Sequence, residues 1–126
     1  MSFYSSQVAF YSKLLPKPET VAPVIEARQL MDRHYSEPID LDELAGKIFL
    51  SKFHFVRLFK RCYGRTPHEY LTERRMMEAK RFLATGMSVE EACFKTGYSS
   101  ATSFALLFRR HTGWTPSVYR KMRKNR

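Results

Sequence analysis

Lys52, His54, Arg57, Lys60 and Arg61 fall on the side of one predicted helix that its apolar residues Phe55, Leu58 and Phe59 leave open. Lysines and arginines grouped in this way neutralise phosphates and release counterions. The same text then returns. Phe59-Lys60-Arg61-Cys62-Tyr63-Gly64-Arg65-Thr66-Pro67 recurs 49 residues later as Phe108-Arg109-Arg110-His111-Thr112-Gly113-Trp114-Thr115-Pro116. Tyr70 pairs with Tyr119, Phe55 with Phe104 and Leu58 with Leu107, while ahead of the turns the offset is 48 and Ala45 pairs with Cys93.

Bond-making chemistry finds little support. His54, Cys62, Cys93 and His111 match no zinc-ligand spacing, and the repeat puts Cys93 on the core side of its helix. There is no nucleophile–base pairing and no glycine-rich phosphate loop, so neither an enzyme nor a bound metal or cofactor is expected. The chain has 126 residues, 44% of them hydrophobic, and a net charge of +10. That suits one ordinary domain or two very small ones. The charge is uneven: residues 1–45 net −3, whereas residues 46–126 carry 18 bases and five acids for +13. A basic excess attracts DNA, RNA or an anionic membrane without choosing among them. The apolar runs are far shorter than the ~20 residues that cross a bilayer. The N-terminus lacks the charged start and apolar core of a signal peptide. Two cysteines make no disulfide scaffold, so a soluble, reducing, cytoplasmic setting is expected.

The elements that must position these residues read as nearly all helix. Residues 1–23, with Pro16, Pro18 and Pro23, form an arm that prolines keep from being helical. Val24, Ala27, Met31 and Tyr35 have helical spacing up to Ser36-Glu37-Pro38. Asp40 caps a second helix, Ser51 a third that Gly64 closes, and Thr66-Pro67 opens a long helix to Ala84. Ser88-Val89-Glu90-Glu91 is a capping box, Ser99 or Ser100 caps the next helix up to Gly113, and Thr115-Pro116 opens a last short one. Residues 24–66 and 85–126 therefore read as two helix-turn-helix subdomains around a linker helix, 67–84. Such a helix, ~27 Å long at ~1.5 Å per residue, has the size to set two reading helices one ~34 Å DNA turn apart.

The chain resembles the DNA-binding region of the AraC/XylS family of bacterial transcription regulators. The matching text includes Leu41-Asp42-Glu43-Leu44-Ala45, Leu50-Ser51, Arg57-Leu58-Phe59-Lys60, Gly64, Tyr70-Leu71, Glu78-Ala79-Lys80-Arg81, Gly97-Tyr98-Ser99 and Gly113-Trp114-Thr115-Pro116-Ser117. The resemblance covers about Val24 to Met122, and the length is similar to that of stand-alone MarA/SoxS-like members. It implies an all-α, homeodomain-like fold of about seven helices that binds double-stranded DNA as a monomer through two recognition helices in adjacent major grooves. RNA polymerase is the implied protein partner, and no membrane is involved.

Carried over by position, the base-reading residues of the first module are Lys52, Phe53, Val56 and Arg57, and those of the second are Ala101, Thr102, Ala105 and Leu106. Phosphate contacts fall to Ser51, Lys60, Arg61, Ser100, Arg109 and Arg110. Two departures stand out. Leu106 occupies a position where many members have Arg, so the second module is expected to read thymine methyls and DNA shape rather than hydrogen-bonding groups. Phe49 stands where the first turn often carries Gly, so either that turn differs or packing of the ring compensates. Other readings are the C-terminal domain of a longer ligand-sensing regulator, against which Met1 weighs, and a basic module that docks an acidic protein.

Overall fold

The computed structural model describes residues 18–124, seven helices joined by short turns. They are α1 (Pro18–Arg33), α2 (Leu41–Lys47), α3 (Lys52–Tyr63), α4 (Pro67–Ala84), α5 (Val89–Lys95), α6 (Ala101–Thr112) and α7 (Pro116–Lys124). The arm at residues 1–17 lies outside the described residues. No described helix is long and apolar enough to cross a membrane.

Local sequence explains most of these boundaries. Asp40 accepts hydrogen bonds from the backbone N–H groups of Asp42 (2.9 Å) and Glu43 (3.4 Å). Ser51, Ser88 and Ser100 each accept one from the residue three further on, at 3.1–3.2 Å. Thr66 and Glu69 cap α4 reciprocally: the Glu69 N–H donates to Thr66 Oγ1 (3.2 Å) and the Thr66 N–H to Glu69 Oε1 (3.1 Å). The backbone hydrogen bond from Thr66 holds the Glu69 carboxyl below its ordinary pKa.

α1 departs from expectation at both ends. It starts at Pro18, six residues before Val24, because a proline in the first helical turn gives up an N–H that has no helical partner anyway. Pro23 lies inside the helix, and Val24, Ala27 and Met31 beyond it are buried. α1 ends at Arg33, so Tyr35 sits in the following turn rather than on the helix.

The described residues divide into two compact units, residues 18–31 with Asp40–Glu69, and Asp32–Ile39 with residues 70–124. The first buries Leu44, Ala45, Ile48, Phe55, Leu58 and Phe59, with Phe55 and Phe59 edge to face at 5.8 Å. The second buries Met76, Ala79, Leu83, Ala92, Cys93, Phe104 and Phe108, with Tyr119 edge-on to Phe108 at 5.4 Å. The turn Asp32–Ile39 joins this second unit through two arginines of α4. Arg75 donates to the carbonyls of Tyr35 (2.7 Å) and Glu37 (3.0 Å). Arg74 stacks over the Tyr35 ring at 4.9 Å and pairs with Glu78 and Asp32. Both arginines are thereby committed to partners within this unit.

Glu78 is buried between Arg74 and Arg81, and Arg81 Nε donates to it at 2.8 Å. Burial pushes its carboxyl up, but hydrogen bonds and charge from the two arginines outweigh that, so its pKa lies below the usual carboxylate value. A carboxylate with a depressed folded pKa stabilises the fold above its unfolded pKa, and the contribution vanishes as pH falls through the folded value. Glu78→Gln is therefore expected to lower stability near pH 7 by about 1–3 kcal/mol. Urea unfolding at about pH 7 and about pH 3 checks this. The gap between the two proteins should narrow in acid, and a constant gap excludes the ionic explanation.

Candidate nucleic-acid interface

In each unit a seven-residue helix turns into a twelve-residue one, α2 into α3 and α5 into α6. The two turns make the same bonds. The Leu50 N–H donates to the Ala45 carbonyl (3.0 Å) and the Phe49 N–H to that of Gly46 (3.1 Å). The Tyr98 N–H likewise donates to Cys93 (3.0 Å) and the Gly97 N–H to Phe94 (3.0 Å). This pattern closes a helix through one left-handed residue. Phe49 fills that place at φ 60° and Gly97 at φ 97°. Phe49 is the one non-glycine residue with positive φ among the described residues, and its ring is 94% exposed, so no packing offsets the strain. A left-handed conformation costs a residue with a Cβ about 1–2 kcal/mol.

The longer helices leave one face outward. On α3, Phe55, Leu58 and Phe59 are buried, while Ser51, Lys52, Phe53, Arg57, Lys60 and Arg61 are exposed and Val56 is half-buried. The structure thus places the first module's base-reading candidates on one outward helix, with Phe53 75% exposed. Gly64, at φ 74°, closes α3 by donating its N–H to the Lys60 carbonyl.

On α6 the outward face is mostly apolar. Ser100, Ala101, Thr102, Leu106, Arg109 and Arg110 are exposed, and Ala105 is half-buried. Val89, Ala101, Thr102, Ala105, Leu106, Arg109 and Thr115 line a shallow cleft of about 450 Å³. The sequence showed the lack of hydrogen-bonding groups at 101, 105 and 106, but not that these residues border a concavity with Val89 of α5.

Other residues settle more simply. Phe55, Phe59, Phe104 and Phe108 are fully buried core. The Cys93 thiol donates to the Tyr98 carbonyl (3.4 Å), and burial pushes the pKa of both Cys62 and Cys93 up, which disfavours the thiolate that ligation or attack requires. Trp114, beside the Gly113 turn, is half exposed, and its N–H donates to Thr112 Oγ1 at 3.1 Å. Lys121 and Arg123 belong to α7, and Arg123 stacks on Tyr119 at 5.6 Å.

Arg75 is a residue that sequence reasoning missed. Its guanidinium lies over the Tyr98 ring at 5.3 Å, two residues before the Ser100 cap of α6. Burial raises the Tyr98 pKa, and Arg75 works against that. The carbonyls it binds are 38–40 positions away along the chain, beyond the reach of any local signal.

A helix-turn-helix domain family matches residues 44–122. Over 87 residues the chain is 36% identical to the probable transcription factor PqrA of Proteus vulgaris, covering 68% of this chain and 71% of that protein. The DNA-binding domain of AdpA, a global transcriptional factor crystallised with a target DNA, matches with a TM-score of 0.75 at 31% identity, over 79% of this chain and 91% of that one. A regulator from Chromobacterium violaceum described as AraC-type matches with a TM-score of 0.73 at 30% identity, over 85% and 96%. Other curated relatives are longer, and the matched stretch spans 32–46% of their length.

The second turn can be tested without DNA. A Cβ on Gly97 would lie 3.0 Å from the Ser36 carbonyl oxygen and 3.2 Å from the Arg75 guanidinium, whereas one on Gly113 would meet nothing within 4 Å. Both glycines have positive φ. Gly113→Ala should cost about 1 kcal/mol and Gly97→Ala about 2–3 kcal/mol, the excess being steric. Thermal unfolding of the two variants checks the order; equal losses would refute the close packing at Gly97.

Proposed function

The chain belongs to the AraC/XylS family of helix-turn-helix DNA-binding domains, and we propose that it is a sequence-specific, double-stranded-DNA-binding transcription regulator that performs no chemistry on the DNA. In this reading α3 and α6 enter adjacent major grooves of one duplex. Residues 24–66 and 85–126 act as the two subdomains and 67–84 as their linker. The observation that carries it is the α3 surface, where Lys52, Phe53 and Arg57 stand outward on a helix held by the buried Phe55 and Phe59. Arg57 reads a guanine through its two major-groove acceptors, and Phe53 and Val56 contact thymine methyls or sugars. Ser51, Lys60 and Arg61 hold phosphates and fix the register.

The second module reads less. Ala101, Ala105 and Leu106 donate no hydrogen bonds to bases, and the apolar cleft beside them suits thymine methyls. Thr102 adds one hydroxyl, while Ser100, Arg109 and Arg110 take phosphates. Two unequal modules on one chain favour a monomer on an asymmetric site, and membership of a family of transcription regulators favours a cytoplasmic setting with RNA polymerase as the protein partner. A second reading, the DNA-binding end of a longer ligand-sensing regulator, is favoured by the length of most relatives. It uses the same DNA contacts.

Selection of bound duplexes from a random pool tests the proposal. The expected product has two half-sites about one helical turn apart, the one facing α3 more strictly defined. No enrichment would overturn the function, and equal strictness would overturn the asymmetry. On the selected duplex, Arg57→Ala should weaken binding by about 1–3 kcal/mol and relax preference at one base pair. Anisotropy titrations against duplexes changed at single positions measure both effects.

A further inference from the structure

Phe49 is held in a conformation that glycine adopts without penalty, and its ring touches almost nothing in the protein, at 94% exposure. Its counterpart Gly97 shows that the turn needs no side chain there, and a Cβ at 97 would crowd the Ser36 carbonyl oxygen at 3.0 Å. An exposed phenylalanine in a strained backbone conformation is an outlier of the kind found at functional sites. Its surroundings indicate which. Two residues on, Ser51 caps α3; Phe53, in the first turn of that helix, is 75% exposed; Lys47 and Lys52 are exposed on either side along the chain. The acids of α2, Asp42 and Glu43, are confined to its opposite end. An exposed apolar ring flanked along the chain by two exposed lysines, and leading directly into α3, matches the alternation of deoxyribose and phosphate along a DNA strand. An acidic, apolar protein surface would match the ring and the charges but would have no reason to sit on the margin of the reading helix.

We infer that Phe49 is a DNA-contacting residue whose ring packs against the deoxyribose backbone at the edge of the α3 site. The inference rests on the function proposed above. It assigns to the turn a contact that is apolar and independent of base sequence, distinct from the reading residues of α3.

Phe49→Gly and Phe49→Asn, both compatible with positive φ, test it in the full chain. Each is titrated by anisotropy against the selected duplex and against a duplex of mixed sequence, over a range of salt. The glycine variant should melt no lower than the parent, so that weaker binding is not a loss of fold. Both variants should bind both duplexes about tenfold more weakly. The slope of log affinity against log salt should not change, because no cation is removed. Variants that bind as tightly as the parent overturn the inference. So does unchanged binding joined to weaker transcription from a template carrying the selected site, which would assign the ring to a protein partner. A parent protein that binds neither duplex overturns the DNA reading as a whole, an outcome distinct from parent and variants binding alike.

Discussion

Both modules depend on a single left-handed residue between two helices. The 45-to-50 and 93-to-98 backbone bonds close the first helix of each pair, and one positive φ then aims the chain into the second. That turn sets the direction in which α3 or α6 leaves, and so which of its faces meets the core. Once Phe55 and Phe59, or Phe104 and Phe108, are committed inward, the outward face follows from helical periodicity alone. The serine caps at 51 and 100 then fix where each outward face begins.

The modules solve this constraint differently. In the second, the turn is braced from outside: Arg75 grips the carbonyls of Tyr35 and Glu37, lies over Tyr98 and fills the space beside Gly97. A side chain at 97 would crowd that brace. In the first, nothing occupies the corresponding space, so a phenylalanine fits sterically and carries only the conformational penalty. The outward faces diverge in the same sense, basic and aromatic on α3, small and apolar on α6. The better-braced turn therefore serves the module with fewer hydrogen-bonding groups on its outward helix face.

What the sequence revealed and what it hid divide by range. Caps act over three residues, so Asp40, Ser51, Ser88 and Gly113 were legible, as were both bounds of α4. The repeat made the paired modules and their buried phenylalanines legible too. The proline density before Val24 misled, because the penalty of a proline depends on its place in the helix, and Pro18 opens one. The roles of Arg74 and Arg75 were hidden, since their partners at Asp32, Tyr35 and Glu37 are far along the chain. Phe49 was legible as an anomaly, but only its exposure excluded compensation by packing.

Those hidden arginines alter the meaning of the basic excess. A net +13 over residues 46–126 invites the view that charge marks the DNA face. Yet Arg74, Arg75 and Arg81 serve Glu78 and the Asp32–Ile39 turn, and Arg120 donates to the carbonyls of Gly86 and Met87. Each of these guanidiniums satisfies carboxylates or backbone oxygens that would otherwise be left unpaired at partly buried sites, which the fork geometry of Arg does better than Lys. They still contribute to the long-range field that draws a polyanion in, but their hydrogen-bonding capacity is directed inward. Attraction and contact are thus separate properties of the same composition. The first follows from the sum of charges, and the second is open only to cations that stand outward, as Lys52 and Arg57 do on α3.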